Sequence, residues 1–218
     1  MKALKNILIA VAALAALFIV VGLFLPNTWE VSESVTMSAS KGRIYDSVAN
    51  LSKWLEWSPW NDSKDASLTY TYEGPESGEG AQQNWTSDKM GTGWLKIVKA
   101  NPETGINYDL FIDMGRFQSK LHGEMVFETV GDQTKVTWID RGENGNNIIK
   151  KWMSLSMKSM LSKDMKLALN NIKAITEKAE AVEPQAENLP AAEVAPVAAK
   201  EVEAVPAEKV EQAEQAQN

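Results

Sequence analysis

The sequence predicts an α+β domain with a helix-grip fold, in which a seven-stranded antiparallel sheet wraps round one long C-terminal helix. Three observations predict it. Residues 147–178 carry apolar side chains at three- and four-residue steps, the spacing of one buried helical face. Much of the stretch from 68 to 140 alternates between apolar and polar residues, which is typical of half-buried strands. Short turns separate these strands, and such turns join antiparallel neighbours.

The chain begins with an apolar segment. Residues 7–25 are 19 consecutive uncharged and almost wholly apolar positions, which as a helix would span about 28 Å and match the hydrocarbon core of a bilayer. A long signal peptide is the alternative, but residues 26–29 lack the small-x-small pattern of a cleavage site. Lysines precede the segment and glutamates follow it, which indicates a cytoplasmic N-terminus. We therefore expect residues 1–27 to be a signal anchor and linker, single-pass in the inner (cytoplasmic) membrane, with a periplasmic domain behind it.

The first folded elements are a strand and two short helices. Residues 28–37 alternate as a first strand, and residues 41–50 carry apolar side chains at helical spacing. A second short helix starts near Leu51 and ends before Pro59. Three tryptophans fall within seven residues here: Trp54, Trp57 and Trp60. Because tryptophan is large and amphipathic, this cluster either plugs one end of the core or forms the mouth of a site for a flat apolar ligand.

Six more strands are predicted, at 68–72, 81–86, 91–100, 106–113, 119–130 and 134–140. One face of their sheet is aromatic and aliphatic, and it carries Tyr70, Tyr72, Trp85, Tyr108, Leu110, Met125, Phe127 and Trp138. A strongly twisted sheet wrapped round one helix leaves a space between them. We therefore expect a cavity with one aromatic wall.

The long helix supplies the other wall. Its apolar positions are Ile149, Trp152, Met153, Met157, Met160, Leu161, Leu167, Ala168, Ile172 and Ile175. Four of the nine methionines lie in this helix, and methionine both fills gaps in cores and lines adaptable pockets. Asp164 and Asn171 fall on the same face as Met153. They either form paired polar groups at the edge of the core or line a water-filled cavity.

Residues 179–218 are rich in Ala, Glu and Pro and contain no aromatic residue. They carry nine Glu against two Lys, so their net charge of −7 equals that of the whole chain. Such a composition predicts a disordered acidic tail, with a protein partner as one role for it. The remaining chain is balanced in charge and shows no basic stripe, which argues against nucleic-acid binding. The absence of Cys excludes disulfides and thiolate chemistry.

Four segments resemble the corresponding segments of a known superfamily. Residues 53–60 are similar to a W-x-x-W-S-P-W segment of its bacterial members, and residues 70–81 to their glycine-rich hairpin. Residues 134–144 look like the final strand and its exit, and residues 163–173 like the end of the long helix. Together with the order of elements, they make residues 28–178 resemble the START, Bet v 1 and polyketide cyclase/dehydrase proteins, known as SRPBCC.

That resemblance implies a cavity for an apolar ligand, with lipid transfer or polyketide cyclisation in some members, and an N-terminal span occurs in others. It implies no shared catalytic constellation, so we assign no catalytic residue, metal ligand or cofactor. The single His122 is predicted on the outer face. Asp140, Asp164 and Arg141 are the charged candidates near the cavity and its rim. Either these residues form structural ion pairs, or one of the two aspartates is a buried acid with a raised pKa that acts on a bound polyketone.

These observations predict a membrane-anchored protein that binds a lipid or other hydrophobic small molecule in its domain at 28–178. The expected lining residues are Trp57, Trp60, Tyr70, Tyr72, Trp85, Tyr108, Met125, Trp138, Met153 and Met157. An enzyme of the cyclase or dehydrase type is the first alternative, although no catalytic constellation is visible. An envelope interaction module acting through the acidic tail is the second.

Overall fold

The computed structural model describes residues 1–187. Its helices are α1 Lys2–Phe24, α2 Lys41–Val48, α3 Trp54–Trp57 and α4 Ile148–Glu187, and a 3-10 turn at Leu51–Lys53 leads into α3. Its strands are β1 Thr28–Met37, β2 Thr69–Glu73, β3 Gln82–Ser87, β4 Gly91–Asn101, β5 Gly105–Asp113, β6 Gln118–Val130 and β7 Gln133–Glu143. The predicted helix-grip order of one strand, two short helices, six strands and one long helix is confirmed.

The strands form one antiparallel sheet in the order β1-β7-β6-β5-β4-β3-β2. The first strand in the chain therefore pairs with the last, and this pairing brings Val31 opposite Asp140. The other neighbours are joined by turns, as in β6–β7, where Gly131 adopts a φ of 59° that favours glycine. Strands β1 and β2 are the edges of the sheet, and the concave face lies under α4.

Helix α4 contacts β1 on one side and α2 and α3 on the other. The Lys173 ammonium donates to the Thr36 carbonyl at 2.7 Å, and the Asn171 amide donates to the Trp57 carbonyl at 2.9 Å. Near these anchors, Met165 and Ile172 are fully buried. Helix α4 is thus clamped onto the core from Met165 to Lys173.

The N-terminal half of α4 packs differently, and here the predicted single apolar face is wrong. Ile149, Met153, Met160 and Leu167 are exposed by 47–60%. The most buried side chains of the first turns are instead Lys151 and Ser154, 5% and 6% exposed, which lie against the Leu23 carbonyl of α1 and against Asn144. The ten predicted apolar positions cover too wide an arc of the helix for one sheet face to bury. The helix therefore has an inner apolar face and a separate outer apolar stripe.

Helix α4 also continues beyond the predicted end of the domain at residue 178. Glu180 lies within it and accepts a 2.7 Å hydrogen bond from the Arg43 guanidinium of α2. Residues 179–187 of the expected tail therefore extend the helix. The rest of that predicted tail, 188–218, lies outside the described residues.

Helix α1 meets the domain only near its C-terminal end. The Phe18 ring stacks on Trp152 at a centroid distance of 5.0 Å, and Gly22 lies against Ile148 and Trp152. Every other residue from Lys2 to Phe24 is exposed. The helix is long and apolar enough to cross a membrane, a property it shares with signal sequences.

Candidate functional site: the concave aromatic face

The concave face is built from rows of side chains that run across the strands. One row follows the register from Ile97 of β4 through Tyr108, Gly123 and Asp140 to Val31 of β1. Because alternate residues of a strand point to the same face, the rows two residues away on either side of it also face α4. The row is apolar except where Tyr108 and Asp140 meet.

Tyr108 and Asp140 form a buried polar chain with Trp138. The Trp138 indole N–H donates to the Tyr108 hydroxyl at 2.8 Å, and that hydroxyl donates to Asp140 Oδ1 at 2.5 Å. Burial raises the pKa of Asp140 to about 6, although the hydrogen bond from Tyr108 offsets part of the shift. Burial, followed by the nearby Asp140 charge, raises the pKa of Tyr108 well above its ordinary value. The interior thus contains one acid that is neutral in mildly acidic solution.

Gly123 makes this chain possible. A Cβ atom at Gly123 would lie 2.0 Å from Cζ of Tyr108. The Tyr108 ring therefore lies directly over the glycine of the neighbouring strand and reaches Asp140 on the strand beyond it. Any side chain at position 123 would fill the space that the ring occupies.

Trp54 and Trp57 of α3 close one end of the interior, and Trp60 of the following loop borders its open side. The rings of Trp54, Trp57 and Trp60 lie 5.9–6.1 Å from the Trp138 ring and nearly perpendicular to it. The Trp54 indole donates to the Val48 carbonyl at 2.9 Å, so its polar atom is satisfied inside. This edge-to-face packing is favourable for aromatic rings. The arrangement is that of a plug, and it fills this end of the space expected to be open.

The other end is only half closed. Apolar side chains there pack on the core but remain partly exposed: Trp60, Trp85, Leu110, Ile112, Met157 and Leu161. Trp85 and Ile112 share one row because Gly93 stands between them with no side chain of its own. The start of α4 lies at the same end, since the Lys150 ammonium donates to the Gln118 carbonyl of β6 at 2.9 Å. We call these six side chains the apolar groove.

The structure brings together eight of the ten predicted lining residues. Trp57, Tyr108, Met125 and Trp138 are fully buried in the core. Trp60, Tyr70, Trp85 and Met157 are partly buried on the open side. The Tyr70 hydroxyl donates to the Trp60 carbonyl at 2.9 Å, and burial raises the pKa of Tyr70 to about 12.

Two predicted lining residues do not face the interior. Tyr72 is 43% exposed because it lies near the end of the edge strand β2, and Met153 is 47% exposed because it lies on the outer stripe of α4. Sequence reasoning also missed the hydrogen bond between Tyr108 and Asp140. The sequence signal for this hydrogen bond is Gly123, which lies on the strand between Tyr108 and Asp140. That signal can be recognised only when the strand register is known.

The charged candidates have separate positions. Arg141 lies on the convex face, where it binds Glu30 and Glu124, so its expected place at the cavity rim is wrong. Strand alternation sends it outward because its neighbour Asp140 points inward. Asp164 forms an ion pair with Lys64, which is the structural pairing that the sequence offered as one alternative.

His122 lies on the convex face with its side chain 77% exposed and its Nδ1 atom 2.6 Å from Asp109. Across residues 1–187, no three His, Cys, Asp or Glu side chains converge as a metal site requires. The concave face therefore offers apolar surface and the buried carboxyl of Asp140 with its tyrosine. That chemistry suits the binding of a largely apolar molecule with one polar group.

Solved structures share this architecture at low sequence identity. Hypothetical protein jhp0584 from Helicobacter pylori matches with a TM-score of 0.53 and 8% identity, over 68% of this chain and 88% of its own. Protein MLL2253 from Mesorhizobium loti matches with a TM-score of 0.51 and 8% identity, over 69% of this chain and 98% of its own. These similarities support the fold alone.

No curated protein sequence matches the chain. The comparison that identifies a family covers the folded domain, from β1 through most of α4. Residues 28–177 match the profile of the family described as polyketide cyclase / dehydrase and lipid transport, and the chain belongs to that family.

Proposed function

We propose that this protein holds a lipid or another hydrophobic small molecule between the sheet and the N-terminal half of α4. The observation that carries the proposal is the apolar groove, where aromatic and aliphatic side chains stay partly exposed beside a solid core. Burying such surface is favourable by about 25 cal/mol per Å². A ligand bound along the groove would cover the apolar surface that α4 leaves exposed.

Entry of a ligand requires side chains to move. The N-terminal half of α4 contributes Met157 and Leu161 to the groove. Methionine is unbranched and adapts to irregular shapes. The fully buried residues Met165 and Ile172 hold the helix to the core while its first turns adjust.

We also propose that α1 is an uncleaved membrane anchor, with the N-terminus in the cytoplasm and the domain on the opposite side of the inner membrane. Its length, its apolar composition and the lysines before it support this orientation. The family description includes lipid transport, which is compatible with a domain held beside a bilayer.

Native mass spectrometry of residues 28–187 purified without detergent tests the binding proposal. We expect a co-purified hydrophobic mass that is reduced in Trp85→Leu, since Trp85 belongs to the groove. Trp94→Leu is the matched control, because Trp94 is a partly buried tryptophan of the next strand that packs on Phe111 on the convex face. Protein that remains free of ligand after incubation with phospholipid and fatty acid would overturn the proposal.

A second function is favoured by the buried acid. An enzyme of the cyclase or dehydrase type could use Asp140 to protonate a bound polyketone, because its pKa is raised to about 6. In that case Asp140→Asn should abolish turnover of a polyketone analogue while leaving its binding intact. Absence of turnover by the unmodified protein, together with binding of the analogue, would favour the carrier.

A further inference from the structure

The β5–β6 turn and the first half of α4 form a continuous surface with an unusual composition. Residues 114–120 and 148–163 contain six basic residues, five of them outside the core and Lys151 buried, while the acidic residues Asp113 and Asp164 adjoin the two segments. The Lys150 ammonium joins the two segments through its 2.9 Å hydrogen bond to Gln118. We call these two segments the basic apolar surface. Residues 1–178 as a whole are balanced in charge, so the excess of positive charge in these segments is local.

Large apolar side chains of this surface are exposed. Met114 and Phe117 in the turn are 54% and 41% exposed, and Ile149 and Met153 in α4 are 56% and 47% exposed. Arg116 and Lys120 flank Phe117 and are exposed as well. Lysine and arginine beside exposed apolar side chains are the composition of segments that lie in the interfacial layer of a bilayer. A water-facing role would explain the charges and leave the apolar side chains unaccounted for.

The position of α1 supplies an independent argument. Trp152 stacks on Phe18, and its indole donates to the Phe18 carbonyl at 3.2 Å. Phe18 lies seven residues before Leu25, the end of the apolar segment, which is about 10 Å along a helix. If α1 spans the bilayer, Trp152 lies at the depth of Phe18, about 10 Å inside the end of the apolar segment, and the start of α4 is therefore held against the bilayer. Gly22 permits this approach, because a Cβ there would lie 2.4 Å from Ile148.

We propose that the basic apolar surface binds the anionic phospholipid headgroups of the bilayer that α1 crosses, with Met114, Phe117, Ile149 and Met153 inserted among them. The inference rests on the proposed function only in taking α1 as a membrane span. It adds a defined orientation, in which the start of α4 and the groove-lining Met157 face the bilayer. A lipid then passes between bilayer and groove without crossing water.

The absence of cysteine allows single nitroxide labels to be placed in the full-length protein. Phe117→Cys and Met153→Cys report on the surface. Val130→Cys is the control, because Val130 is 50% exposed and lies at the opposite end of β6 from the turn. The protein is placed in nanodiscs of phosphatidylcholine with or without phosphatidylglycerol. Accessibility to a water-soluble relaxation agent is then measured for each label.

We expect accessibility at positions 117 and 153 to fall several-fold relative to position 130 when phosphatidylglycerol is present. Arg116→Gln with Lys120→Gln should reverse much of that protection, whereas Lys96→Gln with Lys99→Gln on β4 removes the same charge elsewhere and should not. Accessibility equal to that of position 130 would overturn the inference, as would equal protection of position 117 without phosphatidylglycerol. Spin–spin broadening between labels would identify a second copy on this surface and would also overturn it.

This experiment is separable from the test of ligand binding. The segment 28–187 lacks α1, so its co-purified ligand does not depend on insertion of the surface. Ligand binding with water-accessible labels would overturn only the membrane surface. Protected labels with a ligand-free segment would overturn only the proposed binding function.

Discussion

Asp140 shows how one residue makes stability depend on pH. Its carboxyl is 5% exposed, and burial raises its pKa from the ordinary value of 3.8 to about 6. The folded protein therefore holds this proton more tightly than the unfolded chain does. Its contribution to stability is fully present below pH 4 and is lost as the pH rises to about 6. The size of that loss is about 3 kcal/mol, at 1.36 kcal/mol for each pKa unit.

The first prediction concerns Asp140→Asn, which removes the ionisation and keeps an oxygen that accepts from Tyr108. We expect the variant's free energy of unfolding at pH 7 to exceed that of the unmodified protein by up to about 3 kcal/mol. Between pH 4 and pH 6, the free energy of unfolding of the variant should depend less on pH than that of the unmodified protein. Urea unfolding at several pH values measures both effects. The same loss of stability over that range in the variant and the unmodified protein would contradict the assignment to Asp140.

The second prediction concerns Gly123. Its Cβ would lie 2.0 Å from the Tyr108 ring, so Gly123→Ala must displace that ring from Asp140 and the core. We expect a loss of about 1–3 kcal/mol or more in the free energy of unfolding. Gly42→Ala is the matched control, because nothing lies within 4 Å of a Cβ there and alanine favours the helix by up to about 1 kcal/mol. Similar effects of the two substitutions in urea unfolding would contradict the packing argument.

At the scale of elements, α4 combines a clamped half and a loosely covered half. The third prediction compares two of its methionines. Met165 is fully buried, so Met165→Ala should cost about 2–5 kcal/mol of unfolding free energy. Met160 is 60% exposed, so Met160→Ala should change it by no more than about 0.5 kcal/mol. Equal costs in thermal or urea unfolding would mean that both methionines face the core.

At the scale of the whole molecule, the domain and α1 are nearly independent. The hydrophobic core runs from Trp29 to Ile172 and includes no residue of α1. The fourth prediction is that residues 28–187 fold without α1 and unfold cooperatively. Circular dichroism and urea unfolding of that segment provide the measurement. A segment that shows no cooperative transition would mean that the contacts of Phe18 and Gly22 with α4 are required for folding.

Much of the fold was predictable because strands alternate with a strict period of two. Trp29, Tyr108, Met125, Trp138 and Asp140 point inward as the alternation requires. The helix was harder, since an apolar arc can be wider than the face that the sheet covers. Ile149, Met153 and Met160 look the same in the sequence as residues that are buried. Only their positions relative to β1 and α3 separate the two sets.

The candidate site was predictable as a set of side chains and less so as a geometry. Alternation selects Tyr108 and Trp138 for the inner face, but their hydrogen bonds to each other and to Asp140 depend on the strand register. The tryptophan cluster left two interpretations open. The distances between its rings decide for a plug at Trp54 and Trp57, while Trp60 borders the groove.

The sequence by itself determined the apolar N-terminal segment, the seven antiparallel strands and the long C-terminal helix, because local periodicity and turn residues specify them. The tertiary structure decided which apolar residues are buried, where Asp140 finds its partner and which end of the interior stays open. It also placed the start of α4 beside α1. These outcomes depend on contacts between residues more than a hundred positions apart, such as Phe18 and Trp152, and no local pattern encodes such pairs.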